Sequence, residues 1–235
     1  MHKSESIYLD LKEKIEREIY PYNSYIPSEN TLTDIYSCSR NTLRKAIESL
    51  ILEGYLNAKH GKGVKVVYHS FKGTRFLIGG FESFEEACNR NHVTHSTKVL
   101  EFKEMTIENS IHEFSLIDPG TRVYYIKRLR FVNNQPTILD INYFVKDVIG
   151  PLTRDVAETS IYNYIDASKN IKMSKHLFSV ELATDEEKKL LNLKHYNSVA
   201  TIRNNIFNKN GELMEFTISK HNPENFEYYN VSLNK

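Results

Sequence analysis

Two arginines stand two residues apart in the run YYIKRLRF, which has the composition of a β-strand. Side chains alternate between the faces of a strand, so Arg128 and Arg130 share one face. Their guanidinium groups repel each other unless an anion lies over both, and a phosphate suits the paired donors of arginine. The next strand carries Asp140 and Asn142 on one face, where they suit sugar hydroxyls. The pattern favours an anion pocket; alternatively, the arginines pair with acids such as Glu215.

Two predicted helix starts could supply further anion-binding groups. Ser83 follows Gly79-Gly80, and Ser160 follows Thr159. Backbone amides at the start of a helix point toward an approaching anion, and a serine hydroxyl can add a hydrogen bond. The alternative is that both serines only cap their helices.

The composition of the 235-residue chain excludes several classes of site. Cys38 and Cys88 are the only cysteines, and their spacing is not that of a metal site. The nine histidines show no metal-ligand pattern, and the sequence has no phosphate-binding loop, dinucleotide fingerprint or nucleophile elbow. We therefore expect no metal, no cofactor and no catalytic residue. No run is apolar enough to span a membrane and the N-terminus lacks a signal-peptide core, so we expect a cytoplasmic protein.

Residues 27–54 have the signals of two helices joined by a tight turn. Ser28 and Ser39 are placed to cap these helices, and Gly54 to end the second. Three- and four-residue spacing predicts the buried faces. The residues expected inside are Leu32 and Ile35 in the first helix, Leu43, Ala46, Ile47, Leu50 and Ile51 in the second, and Ile7, Leu11, Ile15 and Ile19 in a helix that precedes them.

A basic hairpin is predicted after the second helix. Residues 55–59 and 64–67 can pair around His60-Gly61-Lys62-Gly63, where glycine permits a tight turn. From Ser39 to Tyr68 there are six basic and two acidic side chains, a local charge of +4 in a chain whose total is +1. Local positive charge provides phosphate contacts. The order of elements predicts a winged helix-turn-helix whose recognition helix begins with Ser39, Arg40, Asn41, Thr42 and Arg44.

The run PSENTLTDIYSCSRNTLRKAIESLILEGYL, followed by HGKGVKV, resembles the N-terminal domain of GntR-type bacterial transcription regulators. The resemblance implies binding to double-stranded operator DNA. Asn30 stands where the family usually has arginine. The predicted DNA-contacting residues are those that match the family's contact positions, together with their neighbours in the first turn of the recognition helix and in the hairpin. They are Ser39, Arg40, Asn41, Thr42, Arg44, Lys59, His60, Gly61 and Lys62.

Residues 70–75 are predicted to link this domain, residues 1–69, to a second domain at 76–235. The second domain alternates between strand-like and helix-like segments. Strands are expected at 75–80, 97–107, 122–132, 137–145, 172–183, 198–208 and 212–221, and helices at 81–91, 160–167 and 185–191. The pattern predicts an α+β domain around an antiparallel sheet.

GGFESFEEA, YYIKRLRF, ILDINYF, ETSIYNYI and NGELMEFTISKHNPENFEYY resemble the effector domain of the subfamily named for the histidine-utilisation repressor. Its fold is similar to chorismate lyase, and within it the trehalose operon repressors are most alike, although Ile141 replaces their usual arginine. The resemblance implies a sugar-phosphate effector, most specifically trehalose 6-phosphate. With the strand analysis, the effector-binding set is Ser83, Arg128, Arg130, Asp140, Asn142, Ser160, Tyr162 and Glu215.

The leading hypothesis is a homodimeric repressor of a trehalose-utilisation operon that leaves a palindromic operator when trehalose 6-phosphate binds. A second hypothesis is a regulator of the same architecture that responds to another sugar phosphate. A third, from another class, is an enzyme acting on a phosphorylated metabolite, but no nucleophile–base pair supports it.

Overall fold

The computed structural model describes residues 3–59, 61–68, 83–165 and 170–227. The chain divides into two compact units. The described part of the N-terminal unit is 3–68 without residue 60, and that of the C-terminal unit is 83–227 without residues 166–169. The predicted linker at 70–75, the predicted strand at 75–80, Gly79-Gly80 and His60 lie outside the described residues.

Three helices build the core of the N-terminal unit: α1 (Lys3–Glu16), α2 (Glu29–Tyr36) and α3 (Arg40–Leu52). The hydroxyl of Ser28 caps α2, that of Ser39 caps α3, and Gly54, with φ of 76°, follows the end of α3, all as predicted. The core contains the predicted residues of α1 and α3, with Ile51 partly buried.

Two residues predicted to lie in this core are exposed. Ile19 is 55% exposed because α1 ends at Glu16 and Glu18, with φ of 58°, turns the chain. Ile35 is 56% exposed, whereas Leu32 on the same helix is buried. A helix as short as α2 packs along one narrow side, so a second apolar residue three positions on can lie outside it.

The predicted hairpin follows α3 as β1 (Leu56–Lys59) and β2 (Gly63–Val66), paired antiparallel with Lys59 opposite Gly63. The amide of Lys62 donates to the carbonyl of Lys59 at 3.0 Å and closes the tip. Gly61 has φ of 72°, a conformation that residues with a Cβ rarely adopt. The wing is therefore a tight, glycine-dependent turn.

The C-terminal unit is built on six strands: β3 (His95–Thr106), β4 (Arg122–Val132), β5 (Gln135–Val145), β6 (Ile171–Leu182), β7 (Ser198–Asn208) and β8 (Leu213–His221). They form one antiparallel sheet in the order β3-β4-β5-β8-β7-β6. The predicted α+β class is confirmed, and within the described residues the strand bounds agree with the predicted ones to about two residues.

Among the described residues, six α-helices accompany this sheet: α4 (Phe84–Arg90), α5 (Asn109–Ser115), α6 (Lys146–Ile149), α7 (Arg154–Glu158), α8 (Ile161–Tyr164) and α9 (Asp185–Leu190). The sequence analysis did not predict α5, α6 or α7. The predicted helix at 160–167 is present as the single turn α8, and residues 166–169 lie outside the described part. Leu152, Ala157 and Ile161, from the α7–α8 region, pack on one face of β4 and β5.

The register of the sheet aligns polar residues from neighbouring strands on that same face. Arg128 lies opposite Asp140, and Asp140 lies opposite Ser219. The other face packs its own apolar cluster, which includes Val123, Tyr143 and Phe216. One face of the sheet therefore carries both an apolar core and, beside it, a polar surface.

Among the described residues, no helix is long and apolar enough to cross a membrane.

Candidate functional sites: an exposed basic helix and a buried polar pocket

The predicted DNA-contacting residues that the structure describes lie at two places in the N-terminal unit. The first turns of α3 carry Ser39, Arg40, Asn41, Thr42 and Arg44, and the wing carries Lys59, Gly61 and Lys62. All are exposed except Thr42, which is half-buried. The Ser39 hydroxyl accepts a hydrogen bond from the amide of Thr42 at 3.2 Å. Ser39 therefore has a capping role besides any contact with DNA.

The two arginines of α3 bind residues at the start of α2. Arg40 Nη2 donates to Asn30 Oδ1 at 3.0 Å. Arg44 Nε and Nη2 lie 2.9 and 3.1 Å from the two carboxylate oxygens of Glu29. These contacts hold both guanidinium groups at the outer surface of the helix-turn-helix. Asn30, at the position where arginine is usual in the family, thus orients another arginine.

The eight predicted effector-binding residues all line one cavity of about 580 Å³ in the C-terminal unit. The volume lies in the range of small-molecule sites. All six strands, β3 to β8, contribute to its floor, and residues at the starts of α4 and α8 supply part of its wall. The structure therefore brings together Ser83, Arg128, Arg130, Asp140, Asn142, Ser160, Tyr162 and Glu215.

The two pocket arginines have different partners. Arg128 is buried, and its Nε and Nη2 donate to Asn142 Oδ1 at 3.2 and 3.0 Å. Burial, with the nearby positive charge of Arg130, lowers the pKa of Arg128 to about 10. Arg130 forms an ion pair with Asp140 and lies 4.7 Å above the ring of Phe84. The pairing of an arginine with an acid is therefore observed, with Asp140 rather than Glu215.

Asp140 is a carboxylate stabilised on both oxygens. Burial opposes its ionisation, but Arg130 and Arg128 outweigh that effect and hold its pKa below the ordinary value. Ser219 Oγ donates to Asp140 Oδ1 at 2.6 Å. Asp140 thus offsets one of the two guanidinium charges of the pocket and remains an acceptor.

Glu215 lies at the centre of a second network. It accepts hydrogen bonds from Tyr162 at 2.7 Å, from Asn142 at 2.9 Å and from Thr217. Burial raises the pKa of Glu215 in spite of these donors, and burial together with Glu215 raises the pKa of the Tyr162 phenol well above its ordinary value. Acceptors and donors of this kind match hydroxyl groups.

The two helix starts are already occupied by their own residues. The amide of Ser83 donates to Glu86 at 2.8 Å, and the Ser83 hydroxyl accepts from the Glu86 amide. The Ser160 hydroxyl accepts from the amide of Asn163 at 3.4 Å. Each serine therefore caps its own short helix, which is the alternative interpretation given by the sequence analysis. Their serines line the pocket, but the expected anion-binding amide of Ser83 is engaged.

Several lining residues were missed by the sequence analysis. They come from all parts of the cavity and include Thr97, His176, Ile202, Asn204, Thr217, Ser219 and His221. His221 is buried, which, with Arg130 nearby, lowers its pKa to about 4 in spite of Asp140. The alternation of β8 placed Thr217 and Ser219 on the face of Glu215 and was the available signal. Ile141 lies outside the pocket and packs in the apolar cluster on the opposite face.

Comparisons with known proteins match both units. The family described as "Bacterial regulatory proteins, gntR family" matches residues 3–66, and the UTRA domain matches residues 90–227. The HTH-type transcriptional regulator TreR of Bacillus subtilis (strain 168) is 30% identical over 97% of this chain and 96% of its own length.

Solved structures similar to this chain include the following two. A crystal structure of YydK from Bacillus subtilis subsp. subtilis str. 168 covers 100% of both chains with a TM-score of 0.83 at 24% identity, which shows the fold. The effector-binding domain of the B. subtilis trehalose repressor (TreR) covers 60% of this chain and 99% of its own, with a TM-score of 0.55 and 25% identity.

Proposed function

Because the chain belongs to the GntR family of bacterial transcription regulators and carries a UTRA effector-binding domain, we propose that it represses a trehalose-utilisation operon. In this proposal a homodimer binds a palindromic operator and leaves it when trehalose 6-phosphate fills the pocket. The observation that carries the proposal is the convergence of the eight predicted residues on one cavity with two paired arginines. The relative TreR is named as a transcriptional regulator, which agrees with the prediction that the chain is not an enzyme.

The N-terminal unit supports the operator-binding part of the proposal. A recognition helix enters the major groove by its N-terminal residues. Arg40 and Arg44 are exposed there and are oriented by Asn30 and Glu29. The wing presents Lys62, a donor suited to the phosphate backbone. We propose that α3 reads bases and the wing contacts the backbone.

The arginines and their neighbours support a sugar phosphate. Arg130 is 13% exposed and faces a cavity large enough for a phosphorylated disaccharide. Its guanidinium can donate hydrogen bonds to a phosphate beside or in place of Asp140, while Asp140, Asn142 and Glu215 provide acceptors and donors for hydroxyls. The choice of trehalose as the sugar rests on the similarity to TreR. The pocket itself selects an anion with hydroxyl groups.

An exposed edge strand supports the homodimer. Strand β6 is an edge strand of the sheet, and its exposed apolar residues include Leu177, Val180 and Leu182. Such an edge is a template for pairing with another strand. A two-fold axis through Phe178 would place Lys175 opposite Glu181 of the partner subunit, so this strand is complementary in charge to a second copy of itself.

Light scattering tests this interface. The double substitution Leu177→Glu and Val180→Glu should turn a dimer into a monomer, because it would replace apolar side chains at the paired edges with charged carboxylates that association removes from water. Leu52→Glu, at an exposed position on α3 of the N-terminal unit, is the matched control and should remain dimeric. A dimer that survives the double substitution would move the interface elsewhere.

The effector proposal is tested by gel shift on the protein–operator complex. Trehalose 6-phosphate should release the DNA, whereas unphosphorylated trehalose should not, because only the phosphate engages the arginines. Release by glucosamine 6-phosphate instead would favour the second hypothesis, a regulator answering another sugar phosphate. Conversion of the ligand into a product during incubation would favour the third hypothesis, an enzyme acting on a phosphorylated metabolite.

A further inference from the structure

A polar row crosses the floor of the pocket beyond the arginines. Asn142 on β5 lies opposite Thr217 on β8, Thr217 opposite Asn204 on β7, and Asn204 opposite His176 on β6. All four side chains line the cavity. Neighbouring strands lie about 4.8 Å apart, so the three steps from Asn142 to His176 span roughly 14 Å. A single phosphorylated sugar ring bound at the arginines leaves the far part of this floor uncovered.

The two ends of the floor differ in charge. The arginine end contains Arg128, Arg130 and Asp140. At the far end, the described lining residues from β6 and β7 are His176, Ile202 and Asn204, without a carboxylate, lysine or arginine. An amide can hydrogen-bond a neutral hydroxyl, and an isoleucine can pack against the C–H face of a sugar ring. The far end therefore suits an uncharged sugar rather than a second phosphate.

A short hydrogen-bond chain fixes the amide at this end. His176 Nδ1 lies 2.5 Å from Asn204 Oδ1, and His176 Nε2 lies 2.7 Å from Ser174 Oγ. Since Oδ1 can only accept, Nδ1 is the donor in this hydrogen bond. This arrangement holds the Asn204 carbonyl oxygen against the imidazole. Among the described residues, no hydrogen bond of Asn204 Nδ2 is present, so that nitrogen can donate to a ligand.

The geometry points to a second sugar subsite in which Asn204 Nδ2 donates to a hydroxyl of the unphosphorylated ring and His176 is the positioning residue that orients the amide. This inference rests on the proposed function, because it assigns one ring of the phosphorylated disaccharide to the far end. The arginine end binds the phosphorylated ring without help from β6 and β7. The far end then distinguishes a disaccharide phosphate from a monosaccharide phosphate.

Isothermal titration with a matched pair of ligands tests the subsite in the full-length protein. The pair is trehalose 6-phosphate and methyl α-D-glucopyranoside 6-phosphate, in which a methyl group replaces the second ring. Loss of one neutral hydrogen bond predicts that Asn204→Ala binds trehalose 6-phosphate roughly three- to tenfold more weakly, with the methyl glucoside phosphate changed less than about twofold. Lys194→Ala, at an exposed position that does not line the pocket, is the control and should change neither affinity.

A double-mutant cycle tests the positioning role. His176→Ala should weaken trehalose 6-phosphate binding in the wild-type background but add nothing in the Asn204→Ala background, because His176 acts through Asn204. Independent, additive losses would overturn the positioning role and indicate direct contact of His176 with the ligand.

Other outcomes contradict the subsite itself. Equal weakening of both ligands, unchanged trehalose 6-phosphate affinity in Asn204→Ala, or failure of the methyl glucoside phosphate to bind the wild type would each overturn the division of the pocket into two ends. Failure of the wild type to bind trehalose 6-phosphate would instead remove the proposed function, and the inference with it.

Discussion

The two units each present a pair of arginines, and in each pair one arginine is held by an asparagine and the other by a carboxylate. The N-terminal pair is Arg40 with Asn30 and Arg44 with Glu29, and the C-terminal pair is Arg128 with Asn142 and Arg130 with Asp140. The pairs differ in exposure. The side chain of Arg44 is 58% exposed, that of Arg130 is 13% exposed, and Arg128 is buried.

The difference in exposure assigns different functions to similar chemistry. An exposed ion pair contributes little to stability, so Arg44 can exchange Glu29 for DNA at small cost. A buried guanidinium needs a permanent partner, because an uncompensated buried charge is strongly destabilising. The exposed pair is therefore suited to a large polyanion that approaches from outside. The buried pair is suited to a small anion that must replace or extend existing contacts.

The largest effect is expected on folding stability, when substitutions of the two carboxylates are compared. Asp140→Asn should lower the free energy of unfolding of the C-terminal unit by roughly 3–5 kcal/mol, because it leaves the largely buried guanidinium of Arg130 without its carboxylate partner. Glu29→Gln should change stability by about 1 kcal/mol or less, since its pair with Arg44 is solvated. Urea unfolding followed by circular dichroism measures both, and similar losses would remove the distinction between the pairs.

A second test uses the histidine beside the buried pair. The pKa of His221 is lowered from 6.5 to about 4, so the unfolded chain binds the proton first as the pH falls. Stability should therefore be lost between about pH 6.5 and pH 4, by about 2 kcal/mol at pH 5 relative to neutral pH. His221→Gln should remove this part of the pH dependence of urea unfolding. An unchanged pH dependence would show that His221 titrates normally.

The exposed pair should instead affect DNA binding. Arg44→Ala should weaken operator binding by roughly 1–3 kcal/mol, as loss of a good base contact does, with unchanged circular dichroism. Lys45→Ala, the exposed neighbour on α3, controls for loss of positive charge alone. Operator affinity equal to that of the wild type in a gel shift at fixed salt would contradict the docking of α3.

The smallest effect is expected at the wing. Lys62→Ala should weaken binding to all DNA sequences by a similar factor and make the salt dependence shallower by about one unit of slope, because it removes one phosphate contact. Measurement of affinity against salt concentration on two unrelated operators checks this. A change in base preference would make the wing a reader of sequence.

Comparison of the two units shows which features could be predicted from sequence. Capping by Ser28 and Ser39 and the termination of α3 just before Gly54 depend on local residues, and these predictions are confirmed. The predictions for Ile19 and Ile35 are wrong, because periodicity alone does not specify where α1 ends or how much of α2 is covered.

In the C-terminal unit, strand alternation gave the correct faces but not the partners. Pairing of Arg130 with Asp140 depends on the register between β4 and β5, which the sequence left open. His176 and Asn204 become neighbours only when β6 pairs with β7 across the segment containing α9. Such long-range pairing has no local signal, and neither residue was predicted to line the pocket.

The most direct measurement is a titration of trehalose 6-phosphate into protein bound to a fluorescently labelled operator, with wild type and Arg130→Ala compared. Loss of a charged hydrogen bond in a buried site predicts unchanged operator affinity without ligand but a roughly ten- to hundredfold higher ligand concentration for release in the variant. Arg44→Ala, loaded at higher protein concentration, should release at the wild-type ligand concentration. Release of wild type and Arg130→Ala at the same concentration would contradict the assignment of the buried arginines to the effector.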